Sequence, residues 1–178
     1  MQESKTNAAS TAETSDREII ITRLIDAPRE LVWDAMTKPE HVVHWWGPNG
    51  FTNTLEKMDF RVGGEWHHVM HGPDGRDYPN RSVYTVIDKP QRLEFCVGGT
   101  HKGDPNAVFE STWTFEVVDG KTIVTIHMVF PTAAARNKVV EEFGAIEGGN
   151  QTLARLADYV SKSESQGSLK DQQGENHA

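Results

Sequence analysis

The chain has a single cysteine, no long apolar run and no surplus of basic residues. One thiol, Cys96, excludes an internal disulfide and fits a reducing compartment. Its setting in "LEFCV" gives it the character of a small buried hydrophobe. No window approaches the roughly 20 apolar residues that span a bilayer. The segment "MQESKTNAASTAETSD" lacks the basic and apolar regions of a secretory signal, so a cytoplasmic location is expected. Eighteen Lys and Arg stand against 26 Asp and Glu, for a formal net charge of -8. Phosphate-backbone binding needs clustered cations, and none are clustered here, so nucleic acid is not an expected partner. Nucleophile motifs are missing as well. Ser82 and Ser111 lack a Gly-x-Ser-x-Gly elbow, and "RVGGEW" is not followed by the helix that a phosphate loop requires. Asp74 and Asp77 sit in a turn, where backbone hydrogen bonding explains them. No catalytic set and no cofactor motif is recognisable.

What is present is a regular alternation of strand and turn signals. Residues 1–16 and 162–178 are polar and nearly free of large apolar side chains, so disordered tails are expected around a folded unit at 17–161. "EIIITRLIDA" reads as a strand. "PRELVWDAMT" and "PEHVVHWW" read as two short helices, each opened by a proline and the second stopped by "GPNGF". Strand-like runs follow: "TLEKMDFRV", "EWHHVMH", "RSVYTVID", "RLEFCVG", "AVFESTWTFEVV" and "KTIVTIHMVF". Asp119–Gly120 forms a two-residue hairpin turn between the last two. A long helix from Thr132 carries Val139, Phe143, Ile146, Asn150, Leu153, Ala157 and Val160 on one stripe, interrupted at Gly148–Gly149. The expected class is α+β, with a curved antiparallel sheet of about six to seven strands wrapped around the C-terminal helix.

The runs "DAPRELVWDAMTKPEHVVHWWGPNGF", "DFRVGGEWHHVMHGPDG", "YPNRSVYTVID" and "EGGNQTLARLADYV" resemble the START-like (SRPBCC) superfamily. Within it they are similar to the small bacterial relatives of the activator of the heat-shock-protein-90 ATPase. The resemblance covers about 18–160. It implies a helix-grip fold with a hydrophobic pocket between the sheet and the C-terminal helix. It also implies a range of functions: binding of lipids, hormones or polyketides, cyclase chemistry, or assistance to chaperones in stress response.

Strand alternation sorts the histidines of "EWHHVMH". Trp66, His68 and Met70 share one face, and their apolarity points that face at the pocket. Glu65, His67, Val69 and His71 share the other. His67 and His71 stand ~13 Å apart at about 3.3 Å per residue, too far to share one zinc ion. No metal site is expected. His68 has two readings: a ligand-orienting or acid–base group, or a core imidazole satisfied locally. Relatives commonly carry an apolar residue there. "HWWGP" places Trp45 or Trp46 as a structural plug, with Trp46 able to join a pocket wall. By their apolarity Phe109, Ser111, Trp113 and Phe115 look inward, as do Val124, Ile126, Met128 and Phe130, whereas His127 belongs outside. A small residue at Gly149 either enlarges the pocket beside Asn150 or allows close backbone packing.

The leading expectation is a binding module enclosing a small hydrophobic molecule. Its pocket would be lined by Trp46, Trp66, His68, Met70, Trp113, Met128, Phe143, Ile146 and Asn150. The alternatives are a cyclase- or hydrolase-like enzyme using His68 as acid–base, and a protein that assists a chaperone partner. No cofactor is expected, and sheet edges of this kind allow a homodimer.

Overall fold

In the computed structural model the backbone is described for residues 15–175 and side chains for 16–163. The β-branched run at Glu18–Ile25 forms strand β1. Two short helices, α1 (Arg29–Thr37) and α2 (Pro39–Trp45), then carry the chain across one face to the far edge of the sheet. From there six strands return as a meander: β2 (Thr52–Met58), β3 (Glu65–His71), β4 (Asp77–Asp88), β5 (Arg92–Val97), β6 (Phe109–Val118) and β7 (Lys121–Val129). The sheet order is β1-β7-β6-β5-β4-β3-β2, antiparallel throughout. The two strands adjacent in sequence, β1 and β2, are therefore the two edges. Helices α3 (Ala133–Phe143) and α4 (Ala145–Glu175) complete the chain. This is the helix-grip arrangement expected from the sequence. Of the expected tails, residues 1–14 and 176–178 lie outside the described residues.

The inner face of the sheet follows the predicted stripes. Trp113 pairs with Ile126 and Phe115 with Val124, and all four are buried. Against them pack Val32, Trp33 and Met36 of α1 and Leu153, Leu156 and Val160 of α4, all buried. Burial of such side chains contributes roughly 1.5–3 kcal/mol each. The β6–β7 turn has positive φ at both central residues, 52° at Asp119 and 76° at Gly120. That is the primed geometry which suits the right-handed twist of a hairpin.

Three boundaries differ from the sequence reading. The C-terminal helix breaks at Gly144, which adopts the left-handed conformation (φ 59°, ψ 43°) and donates its N–H to Val139 and Val140. It does not break at Gly148–Gly149, which lie inside α4. A Cβ on Gly149 would stand 2.1 Å from Ile21 Cδ1 of β1, and one on Gly148 would stand 3.3 Å from Pro48 Cγ. The collision with Ile21 supports the close-packing reading of Gly149, while the contact at Gly148 is merely tight. Strand β4 begins earlier than expected, at Asp77, because Asp77 pairs with His71. Strand β2 ends at Met58, after a register shift between Leu55 and Lys57.

Beyond Met58 the chain folds back tightly, with Asp59 N–H donating to Glu65 O and Gly64 N–H to Arg61 O. A Cβ on Gly64 would stand 2.0 Å from the backbone oxygen of Asp59. Gly64→Ala should therefore cost about 2 kcal/mol in urea unfolding, because a backbone atom cannot rotate away as a side chain can.

Candidate functional site

Strand β3 behaves as its alternation requires. Trp66 and His68 are buried on the inner face, Met70 is half-buried beside them, and His67 and His71 lie on the outer face. The His68 ring stacks on Trp66 at 4.3 Å between centroids and 25° between planes. Over this pair stands Trp46, at the C-terminal end of α2. Its ring is edge-on to Trp66 at 4.9 Å and to His68 at 6.0 Å, and it lies 5.6 Å from Trp113 at 31°. Trp45 packs behind Trp46, 5.6 Å from its ring and 6.2 Å from that of Trp113, and is structural: it is buried and its Nε1 donates to Ala35 O at 2.9 Å.

A cavity of about 10 Å³ remains beneath Trp46, lined by Val42, Val43, Trp46, Asn53, Leu55, Trp66 and His68. That is room for about one water molecule. It lies between α2 and the β2–β3 edge rather than under the C-terminal helix, where Leu153 and Leu156 fill the interior.

The surface of the cavity is apolar, but the residues that form it hold several buried polar atoms without partners. His68 is only 5% exposed, and neither of its ring nitrogens has a hydrogen-bond partner. Trp66 Nε1 and Asn53 Oδ1 are likewise buried without partners, as are Trp113 Nε1 and the Tyr84 hydroxyl deeper in the same aromatic cluster. The Asn53 amide nitrogen is already committed, donating to Trp46 O at 2.8 Å. Burial disfavours the charged imidazolium and pulls the His68 pKa from 6.5 to about 4. Burial also pushes the Tyr84 hydroxyl well above its usual value.

The loop that carries Trp46 over the cavity is held by α4. Arg155 Nη1 donates to Gly47 O and Pro48 O, each at 2.8 Å, and to Trp46 O at 3.3 Å, while Nη2 donates to Phe51 O at 3.1 Å. Gln151 Oε1 accepts from Asn49 N at 3.0 Å. Desolvation lowers the Arg155 pKa from its usual value.

Of the nine residues expected to line a pocket, Trp46, Trp66, His68 and Trp113 come together. Met70 is adjacent, its methyl pressed towards Gly47. Met128 is half-buried against the core on β7, opposite Ser111, and does not line the cavity. Phe143 and Ile146 do not reach it: they are 62% and 40% exposed at the α3–α4 corner. Asn150 is exposed, its amide donating to Ile146 O one turn back. The break at Gly144 rotates this corner, so a stripe read through one continuous helix does not apply. Sequence reasoning missed Asn53 and Arg155. The first looks like a turn residue in "FTNTL", and the second like an ordinary solvated position on a helix.

The outer face carries polar ladders. Glu65 is ion-paired with Arg81 and Lys57 and lies 3.4 Å from His67 Nε2; the Arg81 guanidinium is the main cause holding its carboxyl below the usual value. His71 Nε2 is 2.7 Å from Thr54 Oγ1 and its Nδ1 is 2.7 Å from Asp77 Oδ1. That chain has the order of a nucleophile–base–orienter relay, but it stands on the solvent side of the sheet, with Thr54 exposed and the cavity on the opposite face. His127, expected outside, lies there 2.8 Å from Glu18 Oε1. Among the described residues, no three His, Cys, Asp or Glu side chains are placed to hold a metal ion. Among the described residues, no helix is long and apolar enough to cross a membrane.

The family model described as "Activator of Hsp90 ATPase homolog 1-like protein" matches residues 26–161. Among solved structures, one protein from Nitrosomonas europaea superposes with a TM-score of 0.75 at 24% identity, covering 85% of this chain and 98% of its own. A Mycobacterium smegmatis protein gives 0.74 at 27% identity, covering 84% and 94%. An AHSA1-like protein from Aeromonas hydrophila gives 0.63 at 23% identity, covering 83% and 94%. A search of curated proteins finds no match.

Proposed function

Since the chain belongs to the Activator of Hsp90 ATPase homolog 1-like family, we propose that it is a small binding module that encloses a largely apolar molecule beneath Trp46. The observation that carries this reading is His68, 5% exposed and without a partner at either ring nitrogen. A buried polar group left unpaired costs about 1–3 kcal/mol, and several converge at one place here. A guest able to pair with them would recover that cost. The remaining cavity is water-sized, so a larger guest enters only when Trp46 and its loop swing aside. Trp46 is half-buried and tethered through side chains, which makes it the displaceable wall.

Titration with one- and two-ring aromatic molecules tests the proposal, followed by the NMR signals of the five tryptophan N–H groups. A guest should move the signals of Trp46, Trp66 and Trp113, and that of Trp45 packed against them, while leaving Trp33 in place. If no molecule moves them, the enclosed-ligand reading fails. Acid–base catalysis by His68 is less well supported. A group with a pKa of about 4 is a weak base near neutrality, and no carboxylate orients it.

A second reading follows from the family description, that of a protein assisting a chaperone partner. One feature favours it: Ile20 and Leu24 of edge strand β1 are 58% and 53% exposed, an apolar margin suited to a protein contact. Failure to bind or stimulate a heat-shock-protein-90-type ATPase would remove it.

A further inference from the structure

We propose that the molecule taken up is an uncharged, flat aromatic of indole size bearing both a hydrogen-bond donor and an acceptor, and that Trp46 is its built-in stand-in. This deepens the enclosed-ligand reading and rests on it.

Shape comes from the occupant already in place. The slot between Trp66, His68 and Trp113 is filled by the indole of Trp46, edge-on to two rings and within 31° of parallel to the third. Offset and edge-to-face contacts of this kind are worth about 0.5–1.5 kcal/mol each beyond simple burial, and they select for planar guests. Removal of the Trp46 ring would leave a slot of that shape.

Charge comes from the wall. The residues lining the cavity include no Lys, Arg, Asp or Glu. An ion entering this site would lose its hydration without gaining a counter-charge, which makes charged guests unfavourable. The polar groups that are present form a complementary set. Asn53 Oδ1 is a carbonyl oxygen and only accepts, and the nitrogen of the same amide is committed to Trp46 O. Trp66 Nε1 can only donate. Neutral His68 offers one donor and one acceptor. A guest with a hydroxyl or ring N–H together with an accepting oxygen pairs with one acceptor and one donor of this set. A hydrocarbon of equal size leaves them orphaned, as the Trp46 ring does now.

Three probes and the intact chain separate the possibilities by calorimetry: 5-hydroxyindole, 1-methylindole, which has no donor, and indole-3-acetate, which is anionic, with buffer alone as the blank. The expected result is 5-hydroxyindole binding at least ten-fold more tightly than 1-methylindole, with indole-3-acetate weaker than 5-hydroxyindole. His68→Phe and, independently, Asn53→Leu should erase the ten-fold preference while 1-methylindole binding persists. Equal affinity for 5-hydroxyindole and 1-methylindole would overturn the hydrogen-bonding assignment and leave the enclosed-ligand reading standing. Tighter binding of indole-3-acetate would overturn the requirement for an uncharged guest. If no probe binds the intact chain while Trp46→Ala binds indole, the plug does not yield and both readings fall.

Discussion

The protein should lose about 3 kcal/mol of stability relative to its His68→Phe variant as the pH falls from 6.5 to about 4. The His68 imidazole has a folded-state pKa of about 4 against 6.5 when unfolded, and burial is the cause. Above pH 6.5 both states hold a neutral ring, and the group contributes no pH dependence. Between the two values the unfolded chain takes up a proton that the folded chain refuses, so stability falls by roughly 1.4 kcal/mol for each pH unit. Below pH 4 both states are protonated and the loss levels off. Urea unfolding of the two proteins across this range gives the answer. The phenylalanine variant carries no ring to protonate, so the difference between the curves isolates His68 from every other titrating group. Parallel curves would mean that His68 is hydrated or partnered in solution, and the account of an orphaned imidazole would be wrong. A guest that hydrogen-bonds the neutral ring should push its folded-state pKa lower still, so the loss should grow when the guest is present.

Replacing Arg155 should have an effect of similar size by another route. Its guanidinium bridges the carbonyls of Gly47, Pro48 and Phe51 and reaches that of Trp46. These carbonyls belong to a loop with little regular structure of its own. Hydrogen bonds to a charged group contribute about 1.5–3 kcal/mol, and a fork that spans several acceptors is not reproduced by a lysine. Arg155→Met should therefore cost about 3 kcal/mol in urea unfolding, and Arg155→Lys should recover only part of it. The discriminating readout is local. In Arg155→Met the amides of Asn49 and Phe51 should exchange faster than in the unaltered protein while those of the β6–β7 hairpin stay the same, and Trp46 should become accessible to acrylamide. Unchanged protection of the loop would show that Asn53 and Gln151 hold it without Arg155.

These two residues differ in how far they could be read in advance. His68 was accessible from "EWHHVMH" because a strand repeats every two residues, and its apolar neighbours Trp66 and Met70 mark the inner face. The same period placed Trp113 and Phe115 inward and His127 outward, as observed. Arg155 was hidden because nothing local tells a solvated arginine on a helix from one aimed at the carbonyls of a loop a hundred residues earlier. Phe143, Ile146 and Asn150 failed for a related reason. Helical periodicity extends a stripe only while the helix continues, and the Gly144 break turns that corner towards solvent. The Gly148–Gly149 pair looked like an interruption, yet the constraint on Gly149 comes from Ile21 in a distant part of the chain.

The sequence by itself determined the order of strands and helices, the hairpin at Asp119–Gly120 and the inward direction of His68. Each follows from a local repeat or a local turn preference. Only the tertiary structure decided that His68 would be sealed under Trp46 with no partner, and that the space would lie against β2 and β3. Those outcomes depend on how closely α2 and α4 approach the sheet, and that distance is set by long-range contacts to Gly149, Asn53 and Arg155.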